Sequence, residues 1–111
     1  MIFVENLNNQ IMGFFSSLFG GGNKVEIKQI IENGAIIIDV RTPGEFAGGH
    51  VKGSVNIPLD KIQGNIHKIK DYKKPIVVCC ASGMRSSNAK RVLIKNGLED
   101  VYDGGSWMSI G

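Results

Sequence analysis

Residues 75–87 read Pro75-Ile76-Val77-Val78-Cys79-Cys80-Ala81-Ser82-Gly83-Met84-Arg85-Ser86-Ser87. The run from Ile76 to Cys80 is unbroken apolar chain rich in β-branched residues. That is the pattern of a strand covered on both faces, as in a parallel sheet. A short loop with one glycine follows, and Ser86 or Ser87 is placed to open a helix. That helix turns Ala89, Val92 and Leu93 inward and stops at Asn96-Gly97. A second run of the same kind, Ala35-Ile36-Ile37-Ile38-Asp39-Val40, lies upstream. Before it, Asn23 and Glu26 form a candidate capping box, Ile27, Ile30 and Ile31 share a helical face, and Gly34 is the stop. After it, Thr42-Pro43-Gly44-Glu45 has Thr at N-cap, Pro at N1 and Glu at N3 of a helix. Residues 54–59 read as a shorter strand, and Val101-Tyr102 as a last one closed by Gly104-Gly105. Between them Asp60 is placed to cap a helix with Ile62, Ile66 and Ile69 on one face. Strands separated by helices in this order predict an α/β fold with a largely parallel sheet.

At 111 residues the chain accommodates one ordinary domain. Its 42% apolar and 21% charged residues exclude a disordered composition. The two cysteines, Cys79 and Cys80, are adjacent. A disulfide scaffold and a four-cysteine zinc site are therefore excluded, no metal site is expected, and a reducing compartment, the cytoplasm, fits best. The net charge of +3 is carried by residues 60–74, where Lys61, Lys68, Lys70, Lys73 and Lys74 cluster. A nucleic-acid site usually shows a basic stripe with aromatics or a reading helix; this one short cluster reads instead as a solvated helix face, and no nucleic-acid partner is expected. No stretch reaches the roughly eighteen apolar residues of a membrane span. Residues 1–22 form an apolar extension without Lys or Arg. Val4, Leu7, Ile11, Phe14 or Phe15, and Leu18 recur at the spacing of an amphipathic helix, and Gly20-Gly21-Gly22 ends it. The missing positive flank argues against a signal peptide and against membrane-surface binding. The domain proper is read as residues 23–111.

The chemistry is concentrated where the strand ending at Cys80 meets its loop. Successive backbone N–H groups in a tight loop make an anion nest, and the following helix adds its positive end. Arg85 adds a fixed cation, and Gly83 lets the loop turn. A thiol at the base of such a nest is a candidate nucleophile, because its thiolate is stabilised. Cys80 is therefore the candidate catalytic residue, and Ala81, Ser82, Gly83, Met84, Arg85 and Ser86 form the candidate binding loop. Ligands in open α/β sheets sit beyond the carboxyl ends of strands. Asp39 ends the other long strand, which makes Asp39 and Arg41 candidate supporting residues of a shared pocket, although a buried structural ion pair is the favoured reading of the two. Glu45 is accounted for by its capping box, and Cys79 by burial in the layer covering the sheet.

With these residues in place, the chain resembles a single-domain rhodanese of the sulfurtransferase family. Cys80-Ala81-Ser82-Gly83-Met84-Arg85-Ser86 is similar to the family's Cys-x-x-Gly-x-Arg-Ser loop. Asp39-Val40-Arg41, Glu45-Phe46 and Gly49-His50-Val51-Lys52-Gly53-Ser54-Val55-Asn56-Ile57-Pro58 resemble its upstream motifs, and Gly104-Gly105 with Trp107 its C-terminal one. The resemblance covers about residue 24 to the end. It implies a five-stranded, mostly parallel sheet with helices on both faces, with a closing helix that is short or missing here. It also implies transfer of sulfane sulfur from a small anionic donor such as thiosulfate, through a Cys80 persulfide, to a thiol or protein acceptor, with no cofactor. His50 then reads as structural and His67 as a surface residue. Two other readings stand beside it. Counted from Cys79, Cys79-x5-Arg85 fits the longer loop of cysteine-dependent phosphatases and arsenate reductases. The rival from another class is a sulfur carrier or binding module that does not turn over a small molecule.

Overall fold

The computed structural model describes residues 24–110. The expected amphipathic extension, its glycine break and the Asn23 half of the first capping box lie outside them. Helix α1 (Lys24–Glu32) leads into β1 (Ile36–Asp39), a one-turn helix α2 (Pro43–Ala47) and β2 (Val55–Asn56). Two 3-10 turns, Leu59–Lys61 and Gln63–Asn65, precede α3 (Ile66–Asp71). Then come β3 (Ile76–Cys80), α4 (Met84–Lys95), β4 (Val101–Ser106) and a one-turn α5 (Trp107–Ile110).

The strands pair in the order β2-β1-β3-β4, and every pairing is parallel. The expected α/β architecture is present, but with four strands among the described residues rather than five. The fifth was implied by the resemblance alone; residues 24–110 contain only four extended runs. The period of two along each strand sends alternate side chains into opposite layers. Ile38, Val40, Val78 and Cys80 face a core shared with Ile62, Ile69, Ala89 and Leu93. Ile37, Val77 and Cys79 face a second core with Ile27 of α1 and Ile110 of α5.

Several elements differ in detail from expectation. The 54–59 strand is reduced to two residues, because Pro58 removes a donor and the chain turns at Leu59. Asp60 does not cap a long helix; the segment is two 3-10 turns before α3, although Ile62 and Ile69 are buried as expected. Strand β4 continues past Tyr102 through the glycine pair, because the register slips there: Val78 pairs with Asp103 but Cys79 with Gly105. Gly104 is the extra residue of this bulge. A Cβ on it would lie 3.0 Å from Val77 Cγ1 and 3.2 Å from the Val78 carbonyl oxygen.

The chain crosses from β1 outward to β2 on one side, while β3 and β4 add on the other. The segments following β1 and β3 therefore diverge at adjacent strand ends, the place where open α/β sheets set a ligand crevice.

Candidate active site

Cys80 is the last residue of β3, and the chain leaves the sheet there to enter α4. Helix α4 begins at Met84, two or three residues earlier than expected from Ser86 or Ser87. Gly83, at φ +106°, is its N-cap and supplies the left-handed turn that brings the backbone back over Cys80. The Gly83 N–H donates to Cys80 Sγ at 3.0 Å and the Ser86 N–H at 3.3 Å. Ser86, fully buried in the first turn, does not cap the helix. Its hydroxyl lies 2.7 Å from Asp103 Oδ1 and 3.1 Å from the Gly83 carbonyl oxygen. Asp103 Oδ1 in turn accepts the Gly105 N–H at 2.9 Å, so the bulged strand and the loop are tied together.

These contacts set the state of the thiol. Burial alone would push Cys80 up, but hydrogen bonds from the Ser86 side chain and from the Ser86, Gly83 and Ser82 backbone outweigh it and hold the thiol below its ordinary value. Hydrogen bonds to a charged group contribute about 1.5–3 kcal/mol each, so several aligned donors can overcome burial. Cys79 has no such donors. Burial pushes it up to about 12, and the Asp39 carboxylate adds to the effect. The two neighbours thus sit on opposite faces of one strand with opposite electrostatics. Cys80 itself is 0% exposed, roofed by its own loop, whereas Ala81, Ser82 and Met84 face solvent.

Asp39 and Arg41 are not part of this cradle. Asp39 pairs in register with Cys79 and shares its face, so its carboxylate lies on the other side of the sheet from Cys80 Sγ. The expectation of a shared pocket is corrected by that parity. Arg41 Nε and Nη2 clamp the Asp39 carboxylate at 2.9 and 2.7 Å. Nη2 also donates to the Gly49 carbonyl at 2.7 Å, Nη1 to the Glu45 carbonyl at 3.3 Å, and the guanidinium lies over Trp107 at 4.5 Å. Both side chains are buried, and the Asp39 hydrogen bond raises Arg41 above its ordinary value. The pair staples the 41–49 segment and α5 to the end of β1, which is a structural task.

Arg85 reaches across the crevice. Its Nη1 and Nη2 donate to Glu45 Oε1 and Oε2 at 2.8 and 3.0 Å, a bidentate bridge between the first turns of α2 and α4. Sequence reasoning assigned Glu45 wholly to its capping box, and the box is present: the Glu45 N–H donates to Thr42 Oγ1, and the Thr42 N–H to Glu45 Oε1. The second role of the carboxylate, and that of Asp103, was missed. The Glu-Phe motif after Asp39-Val40-Arg41 was the available signal for the first; nothing local marked the second. His50 stacks on Phe46 with ring centroids 3.7 Å apart, and its Nδ1 lies 2.8 Å from the Phe46 carbonyl, as befits a turn-closing residue. His67 is exposed. A groove of about 460 Å³ lies at the opposite, amino-terminal ends of β3 and β4, beside Lys70, Lys73, Lys74 and Asp100. It holds none of the loop residues.

A family model described as rhodanese-like domain matches residues 23–106. The chain belongs to the rhodanese-like family. It is 38% identical over 89 residues to the thiosulfate sulfurtransferase GlpE of Pseudomonas aeruginosa, covering 77% of this chain and 80% of that one. It is 41% identical over 69 residues to YqhL of Bacillus subtilis, an uncharacterised protein, covering 62% of this chain and about half (54%) of that relative's length. Among solved structures it is similar to a rhodanese with anions from E. coli, with a TM-score of 0.64 and 32% identity over 69% of this chain and 92% of that one. Among the described residues no helix is long and apolar enough to cross a membrane, and no cluster of His, Cys, Asp or Glu is arranged to hold a metal.

Proposed function

We propose that the protein is a sulfurtransferase in which Cys80 carries the sulfur. The observation that supports this most directly is the hydrogen-bonded Sγ of Cys80, which receives the Gly83 and Ser86 amides at the amino end of α4. The same donors that favour a thiolate suit the terminal sulfur anion of a persulfide. The Cys80 thiolate attacks the outer sulfur of thiosulfate; a new S–S bond forms, the old one breaks, and its electron pair leaves with sulfite. The persulfide then yields its outer sulfur to a nucleophile, cyanide in an assay or a thiol in the cell, and the thiolate is restored. This is a two-step covalent mechanism with ping-pong kinetics. Cys80 lies beneath a loop whose Ala81, Ser82 and Met84 face solvent, the side from which a donor approaches. The two free thiols fit a reducing compartment, the cytoplasm.

The placement of Cys79 supports this reading over a phosphatase using the longer Cys79-x5-Arg85 spacing. A nucleophile there would have to act from the other face of the sheet, without the loop amides. Thiosulfate:cyanide turnover, together with a one-sulfur mass gain on Cys80 after thiosulfate treatment, is the expected result. Turnover of an aryl phosphate without sulfur transfer would overturn the proposal. A persulfide that forms but is passed only to thiol acceptors would identify a sulfur carrier.

A further inference from the structure

Arg85 is the cation of the loop, yet its charge is already engaged. Both terminal nitrogens are held by the Glu45 carboxylate, and that carboxylate is fixed independently of Arg85. Its Oε1 accepts the Thr42 N–H at 2.9 Å and lies 3.1 Å from Thr42 Oγ1. The capping box thus aims a carboxylate over the crevice, and Arg85 closes on it from the other wall. The pair is about one-third exposed on each side, 34% and 38%, and Arg85 sits in the first turn of α4 beside Ser86, whose N–H donates to Cys80 Sγ. A free arginine there would attract a dianion. A neutralised one offers little, and the carboxylate beside it repels.

We propose that Glu45 is a specificity-determining residue: by occupying Arg85 at the rim of the Cys80 loop, it disfavours dianionic thiosulfate and favours organic persulfide donors, which carry less negative charge. The inference rests on the sulfurtransferase reading and names its donor class. The transfer step is the same for both donors. Cys80 takes the sulfane sulfur, the donor's S–S bond breaks, and its electron pair leaves on sulfite in one case and on a thiolate in the other.

Glu45→Gln is a clean test, because glutamine keeps the capping box and still accepts an arginine N–H while losing the charge. KM for thiosulfate is expected to fall about 3–10-fold with kcat nearly unchanged, as for a rim charge that acts on binding. KM for 2-hydroxyethyl persulfide should move less than about twofold on the same argument. Equal changes for both donors, or no fall in the thiosulfate KM, would overturn the proposal. Should the variant fold poorly, the wild-type protein supplies a second measurement. Its thiosulfate KM should vary little between low and high KCl, since a neutral rim leaves little to screen; a rise of more than about threefold would mean an uncovered cation and would overturn the proposal. Inactivity of the wild type with both donors would instead refute the sulfurtransferase reading.

Discussion

Cys79 and Cys80 differ by one residue in sequence and by a full change of environment. The first is buried among Ile27, Ile37, Val77 and Ile110, and the second is wrapped by backbone donors. Alkylation reports thiolate, so the two should separate by pH. With its pKa below the ordinary thiol value, Cys80 should be modified by iodoacetamide while the buffer is still near neutrality. Cys79, pushed up to about 12, should stay unmodified until the fold opens. Peptide mapping after brief labelling checks this. First labelling at Cys79, or a Cys80→Ser protein that still transfers sulfur, would reverse the assignment. Cys79→Ser should cost only packing. Glu45 shows the same sensitivity to surroundings: the Arg85 hydrogen bonds, followed by the Thr42 N–H, lower its carboxyl to about 2, so it stays ionised at any working pH.

At the scale of elements, the bulge in β4 ties the sheet to the loop. Gly104 absorbs the extra residue and lets Asp103 and Gly105 lie where they anchor Ser86. Gly104→Ala should destabilise the domain by about 1–3 kcal/mol, the usual cost of overpacking, because the new methyl meets the Val77 side chain and the Val78 carbonyl. Urea denaturation measures it, and a change under about 0.5 kcal/mol, the range of an ordinary surface substitution, would mean that the strand slides freely there. The bulge was not legible in the sequence, because a register slip depends on the partner strand. Strands β1 and β3 were legible, since runs of β-branched residues buried on both faces have few other uses. The start of α2 was legible because its box is local. The Glu45–Arg85 bridge was not, because its halves lie forty residues apart and the capping box already explained Glu45. The helix expected from Asp60 broke into 3-10 turns although its apolar spacing held, since Ile62 and Ile69 reach the core from either geometry.

On the scale of the whole molecule, the site exists because the strand order reverses between β1 and β3. Its cradle and rim, from Thr42 and Glu45 to Ser86 and Asp103, come from segments inside the family match at residues 23–106. The face behind the sheet depends on α1, whose Ile27 is 2% exposed and packs with Ile37, Val77 and Cys79. We therefore propose a domain boundary at residue 23, and two truncations test it. A chain starting at Asn23 keeps α1 whole and should fold and retain most of its specific activity. A chain starting at Ala35 loses Ile27 along with the partly buried Ile30 and Ile31. Removing a buried aliphatic side chain costs about 2–5 kcal/mol, against a total stability of roughly 5–15 kcal/mol for a domain. That shorter chain should be unfolded or molten by circular dichroism, with the Cys79 thiol open to alkylation. If the chain from Asn23 folds with an unchanged melting temperature but no longer turns over, residues 1–22 belong to the transfer machinery and the boundary is misplaced. If the chain from Ala35 melts like the longer one, α1 is an ornament and the second core is held by β1, β3 and α5 alone.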